Sequence, residues 1–349
     1  MPIGLYTAQL NFETIREIGQ EGRNSQVFLA HDKQLDGEIV VKKIQKARIK
    51  HAGEYYRESK ILHASSHPYV VRVNYGCSDS DFIYIAMPYY KNGSLKSLID
   101  TRYLSIREVI RYSIQFLSGL NNIHSKGLIH FDIKPDNILL SDSDEALLSD
   151  FGLSKAMDSL GFANPDDVYH KQIPPELFSS TEKTIHFDIY LAGLTLYRLL
   201  NGNSHYNDQF SFASRNDYIT AIKKGEIPNR NSYLPHIPKK LRRILNKALS
   251  INIEDRHQNV LELINDLSTV DENLDLIYSK NGNITEWRLN KSDRFYIMTL
   301  DSSDLNSQTI TTSKTLLHNN RTTRVHDLCR INLTARNILS KLKTVFRGL

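Results

Sequence analysis

Along the first quarter of the chain, apolar and polar positions alternate; through the middle they recur at steps of three and four. Residues 1–92 read as strands with one helix near Glu58. In Ile39-Val40-Val41-Lys42-Lys43-Ile44 successive side chains take opposite faces of a strand, so Lys42 and Lys43 point apart. Phe82-Ile83-Tyr84-Ile85-Ala86-Met87-Pro88-Tyr89-Tyr90 alternates in the same way. From Gly93 to about residue 270 helical spacing dominates. Ser105-Ile106-Arg107-Glu108 has the form of a capping box, and Ile106, Val109, Ile110, Ile114, Leu117, Leu120 and Ile123 keep helical spacing until Gly127 stops the run. A helix starting near Asp188 is apolar nearly all round through Leu200, the pattern of a buried helix. Between these helices, Asn137-Ile138-Leu139-Leu140 and Ala146-Leu147-Leu148 predict a short hairpin with Ser141-Asp142-Ser143-Asp144 as its turn.

Past residue 270 the pattern changes. Ile284-Thr285-Glu286-Trp287-Arg288-Leu289 and Arg294-Phe295-Tyr296-Ile297-Met298-Thr299-Leu300 read as strands, and a Ser/Thr-rich stretch runs from Asp301 to Thr323. Leu328, Ile331, Ala335, Ile338, Leu342 and Val345 keep steps of three and four, which predicts an amphipathic helix. Residues 271–349 hold twelve Lys/Arg against eight Asp/Glu, so +4 of the chain's formal +5 lies here. Two readings stand. The helix packs its apolar stripe on the rest of the chain, or Arg330, Arg336, Lys341, Lys343 and Arg347 meet a partner protein, a membrane surface or nucleic acid. The lack of interleaved aromatics argues against nucleic acid.

Composition removes several classes. With 349 residues and 40% hydrophobic content the chain can build a full core. Cys77 and Cys329 form no metal-ligand spacing and no disulfide framework, so they are expected as buried thiols. Met1-Pro2-Ile3-Gly4 has neither a basic leader nor an apolar one, and no glycine at position 2 for myristoylation. The longest apolar stretch, Ile189 to Leu200, contains Arg198 and is too short to span a bilayer. A cytoplasmic protein is expected.

Candidate chemistry centres on His130-Phe131-Asp132-Ile133-Lys134-Pro135-Asp136-Asn137 and on Asp150-Phe151-Gly152. Phosphoryl transfer from ATP needs a carboxylate to orient the attacking hydroxyl, a cation near the moving phosphoryl group and oxygen ligands for Mg²⁺. Two aspartates, a lysine and an asparagine at these spacings supply such a set, and the hairpin folds Asn137 back towards Asp150. The two segments together resemble the catalytic loop and the Asp-Phe-Gly loop of the eukaryotic-like protein kinases.

That resemblance implies an α+β, two-lobed fold: a β-rich lobe over residues 1–92, a helical lobe over 93–270, and an extension of strands and a basic helix over 271–349. It makes Asp132 the catalytic base, Lys134 the stabiliser of charge on the phosphoryl group, and Asn137 and Asp150 the metal ligands. Lys42 would contact the ATP phosphates and Glu58 would hold Lys42, with Glu54, one turn earlier, as the competing choice. Glu17-Ile18-Gly19-Gln20-Glu21-Gly22-Arg23-Asn24-Ser25-Gln26-Val27 resembles the phosphate-covering loop in degraded form, with Gly19 and Gly22 kept and Ser25 in place of the third glycine. Val27, Val40, Met87 and Leu139 would enclose the base. Pro88 would offer its carbonyl and Tyr90 its N–H, so a proline at the hinge removes nothing needed. Pro174-Pro175-Glu176 would close the activation segment, with Glu176 paired to Arg256.

The implied activity is ATP- and Mg²⁺-dependent phosphorylation of Ser/Thr hydroxyls on protein substrates, with autophosphorylation. The alternative is a nucleotide-binding pseudokinase acting as a scaffold, which should have lost a metal or base residue. The extension and the loop at Asn24-Ser25 look bacterial. Phe131 stands where many kinases carry the arginine that pairs with an activation-segment phosphate. Activity is therefore expected not to depend on modification of Ser154, Ser159 or Tyr169.

Overall fold

The structure is a computed structural model in which residues 11–18, 25–48, 60, 61, 63, 65–165, 171–178 and 183–349 are described. Gly19, Gly22, Glu54, Glu58 and Tyr169 lie outside the described residues.

The N-terminal lobe is an antiparallel sheet of β1 (Phe12–Glu17), β2 (Ser25–Asp32), β3 (Gly37–Gln45), β4 (Tyr75–Ser78) and β5 (Phe82–Pro88), in the order β1-β2-β3-β5-β4. Period-two alternation decides what each face carries. Ala30, Ile39, Val41 and Ala86 bury one face as a small core. On the other, register pairs Val27 with Lys42 and Lys42 with Ile85, while Val40 lies opposite Met87.

The helical lobe contains α1 (Leu95–Thr101), α2 (Ile106–Ser125), β6 (Leu128–Ile129), β7 (Ile138–Leu140), β8 (Ala146–Leu148) and β9 (Lys155–Ala156). After these come α3 (His186–Asn201), α4 (Asn203–Asn207), α5 (Arg215–Lys224), α6 (Lys239–Ala248) and α7 (Val260–Ser268). The capping box forms: Glu108 N–H donates to Ser105 Oγ (3.2 Å) and Ser105 N–H to the Glu108 carboxylate (2.8 Å). Gly127 takes φ +70° with open space around its Cα, so left-handed backbone is what requires glycine there. At Gly119 the reason is different. A Cβ would meet the Tyr69 carbonyl at 2.5 Å, so glycine admits that segment against α2. Every residue of α3 from Phe187 to Asn201 is buried, as its all-round apolar pattern requires.

The extension is a sheet of β10 (Leu276–Asn281), β11 (Ile284–Asn290), β12 (Arg294–Asp301), β13 (Gln308–Leu316), β14 (Thr322–Arg324) and β15 (Arg330–Leu333), with α8 (Ile338–Gly348) on one face. β14 and β15 both pair with β13. Ile338, Leu342, Val345 and Phe346 of α8 share a core with Leu276, Tyr278, Trp287, Met298, Ile310 and Leu333. The stripe of the C-terminal helix is thus covered by the preceding strands, and Arg336, Lys341, Lys343 and Arg347 are exposed. Three aromatic contacts join this sheet to the helical lobe: Tyr278 meets Tyr103 edge-on at 4.6 Å and lies nearly parallel to His236 at 5.2 Å, and Trp287 meets His236 edge-on at 6.5 Å.

Two expectations, on the C-terminal helix and on the cysteines, need correction, and one strand was not foreseen. The C-terminal helix begins at Ile338, not near Leu328: Leu328 sits in a short 3-10 turn, Ile331 is exposed on β15, and Ala335 is exposed before the helix. The Ser/Thr-rich stretch holds the nine-residue strand β13, because threonine suits a pleated, half-buried surface when its hydroxyl finds partners. Here Thr312 Oγ1 donates to the Leu328 carbonyl (2.8 Å), and Thr315 shares a hydrogen bond with Thr322. Cys77 and Cys329 are half-buried, not buried, since both lie on or beside edges of their sheets. Among the described residues no helix is long and apolar enough to cross a membrane.

Candidate active site

The catalytic loop leaves β6 and enters β7 through backbone that regular structure would not produce. Phe131 has φ +68° and Asp150, on the facing loop, has φ +58°. Left-handed backbone is unfavourable for a phenylalanine and persists only where contacts fix it. Asp188, fully buried in the first turn of α3, does so. Its carboxylate accepts His130 N–H and Phe131 N–H (2.8 Å each) and lies 2.8 Å from His124 Nε2. The Phe131 ring completes the anchor by packing edge-on against Phe187 at 5.2 Å.

His130 transmits this order to the Asp150-Phe151-Gly152 loop. Burial pushes its imidazole below the usual histidine range, so the ring is neutral. Nδ1 accepts from Asp132 N–H (3.2 Å), which assigns the proton to Nε2 for donation to the Ser149 carbonyl (3.1 Å). Ser149 in turn donates its N–H and its hydroxyl to the Asn137 carbonyl (2.9 Å each). Phe151, buried, packs its ring 4.8 Å from that of His130. The two loops are therefore one hydrogen-bonded unit across the β7–β8 hairpin, in which Ile138 pairs with Leu148.

Within this unit the polar groups converge. Asp132 Oδ2 accepts from Lys134 Nζ (2.8 Å) and from Asn137 Nδ2 (2.7 Å). Burial raises the Asp132 carboxyl above the ordinary aspartate range, Lys134 opposes this, and the charge of Asp150 adds to it. A raised carboxylate is a better proton acceptor. Asp150 goes the other way. Lys42 Nζ donates to its Oδ1 (2.9 Å) and holds it well below the usual carboxylate range.

Lys42 is 9% exposed and reaches Asp150 from the sheet, so its face of β3 is the one turned to the helical lobe. Val27 and Met87 lie on that same face by register, and Val40, also there, is half-buried where Ile39 and Val41 are buried. Leu139, half-buried on β7, bridges to Ser94 at the start of α1. Pro88 ends β5 on the opposite face, and the Tyr90 carbonyl accepts from Gly93 N–H (3.0 Å). The structure brings Lys42, Asp132, Lys134, Asn137 and Asp150 together. Glu58, Gly19 and Gly22 are not described.

The donor set suits Mg²⁺. Asn137 commits its amide nitrogen to Asp132, leaving the oxygen as a ligand atom, and Asp150 is ionised with a side chain 45% exposed. Among the described residues no group of three or more His, Cys, Asp or Glu could hold a metal, so the remaining ligands would be phosphate and water oxygens, as Mg²⁺ prefers.

Glu176 and Arg256 form the expected pair, bidentate at 2.7 Å each and buried. Ser154 is fully buried with its hydroxyl towards the His130 carbonyl (3.4 Å), because β9 pairs with β6 beside it, so it offers no modification site. Sequence reasoning missed the anchoring role of Asp188 and the parts played by His124 and Ser149. One signal was present: a carboxylate in the first turn of an otherwise apolar helix must have donors nearby.

Residues 12–267 match the family described as protein kinase domain. The chain is 27% identical, over 74% of its length and 42% of the relative's, to a protein described as probable serine/threonine-protein kinase PknB of Lactococcus lactis. It is 30% identical, over 72% of its length and 30% of the relative's, to serine/threonine-protein kinase PknD of Chlamydia trachomatis. It thus spans less than half of the length of these relatives. With the matched region covering both lobes and every described residue of the converging polar set, the chain belongs to the protein kinase family.

Proposed function

We propose that the chain is an ATP-dependent serine/threonine protein kinase. The observation that carries the reading is the opposition of two carboxylates with divergent proton affinity: Asp132, raised by burial and bound by Lys134 and Asn137, and Asp150, held ionised by Lys42. Paired groups pushed apart in this way take separate acid–base and charge-holding roles. Asp132 orients the acceptor hydroxyl and takes its proton as the hydroxyl oxygen forms the new bond to the γ-phosphorus. The bond from that phosphorus to the bridging oxygen of ADP breaks. Lys134 meets the charge on the moving phosphoryl group. Lys42 fixes the phosphates, with Glu58 as its proposed support. Asn137 and Asp150 would hold Mg²⁺, which would neutralise phosphate charge when bound. Val27, Val40, Met87 and Leu139 enclose the base, the Pro88 carbonyl and Tyr90 N–H meet its edge, and Gly19 and Gly22 cover the phosphates.

Ser/Thr specificity is supported by the description of the relatives as serine/threonine-protein kinases and by the Lys134 form of the loop. The test is transfer of labelled phosphate from ATP with Mg²⁺ to a Ser/Thr peptide mixture by the purified chain. Transfer that Asp132→Asn abolishes supports the assignment, and nucleotide binding without transfer would favour a scaffold.

A further inference from the structure

Resting on the kinase reading, we infer that Arg198, Gln172 and Tyr206 are positioning residues, a clamp that holds the end of the activation segment on the catalytic loop without any phosphate. The starting point is a cation in an apolar helix. Arg198 lies in α3 with its side chain 6% exposed, and a buried guanidinium must be met on all sides. It is. Nε and Nη2 donate to Asn203 Oδ1 (3.2 and 3.0 Å), and Nη1 lies 3.5 Å from the Asp136 carboxylate in the catalytic loop. Asn203 passes the link on to Asp100 in α1.

The third direction points at the activation segment. Gln172 is 3% exposed. In the amide orientation that satisfies both neighbours, it accepts from Arg198 Nη1 (3.3 Å) and donates to the Ile133 carbonyl (3.1 Å), between Asp132 and Lys134. Tyr206, under the Arg198 guanidinium at 5.2 Å, donates its hydroxyl to the Lys171 carbonyl (2.6 Å). Residues 171 and 172 are thus tied to the loop bearing the catalytic base and to α3 and α4 by neutral and permanently charged groups.

This supplies what Phe131 lacks. An arginine at that position could recruit the segment only after phosphorylation. Arg198 needs no modification, because its carboxylate and amide partners are built into the chain. The segment beside Pro174 and Pro175 should therefore present the peptide acceptor in the unmodified protein.

The experiment uses the full chain, treated or not with phosphatase, together with Gln172→Leu, Tyr206→Phe, Arg198→Lys and Arg198→Met. Initial rates are measured against ATP and against a Ser/Thr peptide chosen from a degenerate mixture. Gln172→Leu keeps side-chain volume and removes both hydrogen bonds. It should raise the peptide KM about tenfold and leave the KM for ATP within about twofold, as loss of acceptor positioning requires. Trypsin should cut after Lys171 faster in this variant than in the wild type. Arg198→Lys, which keeps the charge, should lie closer to wild type than Arg198→Met. Phosphatase should leave the wild-type rate within about twofold. The clamp is overturned if phosphatase lowers that rate tenfold or more, or if Gln172→Leu leaves the peptide KM unchanged or moves both KM values alike. A wild-type chain that transfers no phosphate under any condition is a different failure: it removes the kinase reading, and the clamp with it.

Discussion

Between Gly127 and Gly152 the chain bends at Phe131 and Asp150 into left-handed backbone, and Asp188, His130, Ser149 and Asn137 tie those two bends together. Between Leu276 and Leu316 four strands run antiparallel with no register shift. Positive φ in the extension is confined to Asn273, Gly282, Asn320 and Asn332, residue types that tolerate it. The first region stores strain at Phe131, about 1–3 kcal/mol, which distant parts of the chain must offset. The second holds itself by cross-strand pairs and an apolar core. Changes in the loops should therefore appear in the rate with little effect on folding, and changes in the sheet should do the reverse.

The largest expected effect tests the sheet. Trp287 is fully buried and touches Tyr278 at 5.7 Å and Phe346 at 5.4 Å, so it joins strand, helix and the neighbouring joint. Trp287→Ala should destabilise the extension by about 3–5 kcal/mol. Urea unfolding followed by hydrogen exchange over residues 276–346 measures this, and the turnover of the folded fraction at low denaturant should stay unchanged. A large fall in turnover with an intact sheet would end the proposed separation.

The loops should give the mirror image. Asp150→Ala removes a partner of Lys42 and a proposed metal ligand, and one such electrostatic element is worth about 3–4 kcal/mol, or 10²–10³ in turnover. Its thermal midpoint should fall far less than its turnover, because the Asp150 side chain is half-exposed and the cost is confined to the Lys42 ion pair. Undiminished transfer by the purified variant would remove Asp150 from the site.

The division also governs what could be read from sequence. α2 was legible because its capping box and apolar spacing are local, and α3 because being apolar all round has one physical solution. Lys42, Asp132, Lys134, Asn137 and Asp150 were legible as spaced residue types. What holds them was not. Asp188 acts on residues 57 and 58 positions away, a pairing that no local pattern encodes. In the extension, Leu328 and Ile331 mimicked helical spacing, but Asn332 turns the chain at φ +54° and Leu333 enters the core from a strand. Threonines hid β13 because their methyl groups pack while their hydroxyls read as polar.

A smaller effect lies in pH. In the proposed mechanism transfer needs Asp132 ionised, so kcat/KM should fall as pH drops through its pKa, tenfold per unit below it. Burial raises that pKa above the ordinary value near 3.9, whereas Lys42 holds Asp150 below it. The acid limb should therefore have unit slope and an apparent pKa above the usual aspartate range. A limb of slope two, or one at or below that range, would contradict the assignment of Asp132 as the proton acceptor.

The smallest effect separates two ways of fastening the extension to the lobe. Arg107 makes a bidentate contact with Asp275 (2.5 and 2.8 Å), the most conspicuous polar link at this boundary. Both side chains are at least half exposed, at 58% and 50%, so water and salt screen the pair and its ordering entropy offsets much of what remains. Arg107→Ala should barely move the unfolding midpoint, and less still at high salt. Tyr278 is buried against Tyr103 and His236, so Tyr278→Ala removes contact area that salt does not screen. It should lower the midpoint clearly at every ionic strength. Thermal melts of both variants at low and high salt decide between the two fasteners. If Arg107→Ala proves the more damaging, and salt relieves the difference, the boundary is electrostatic and the comparison with the self-sufficient sheet must be redrawn.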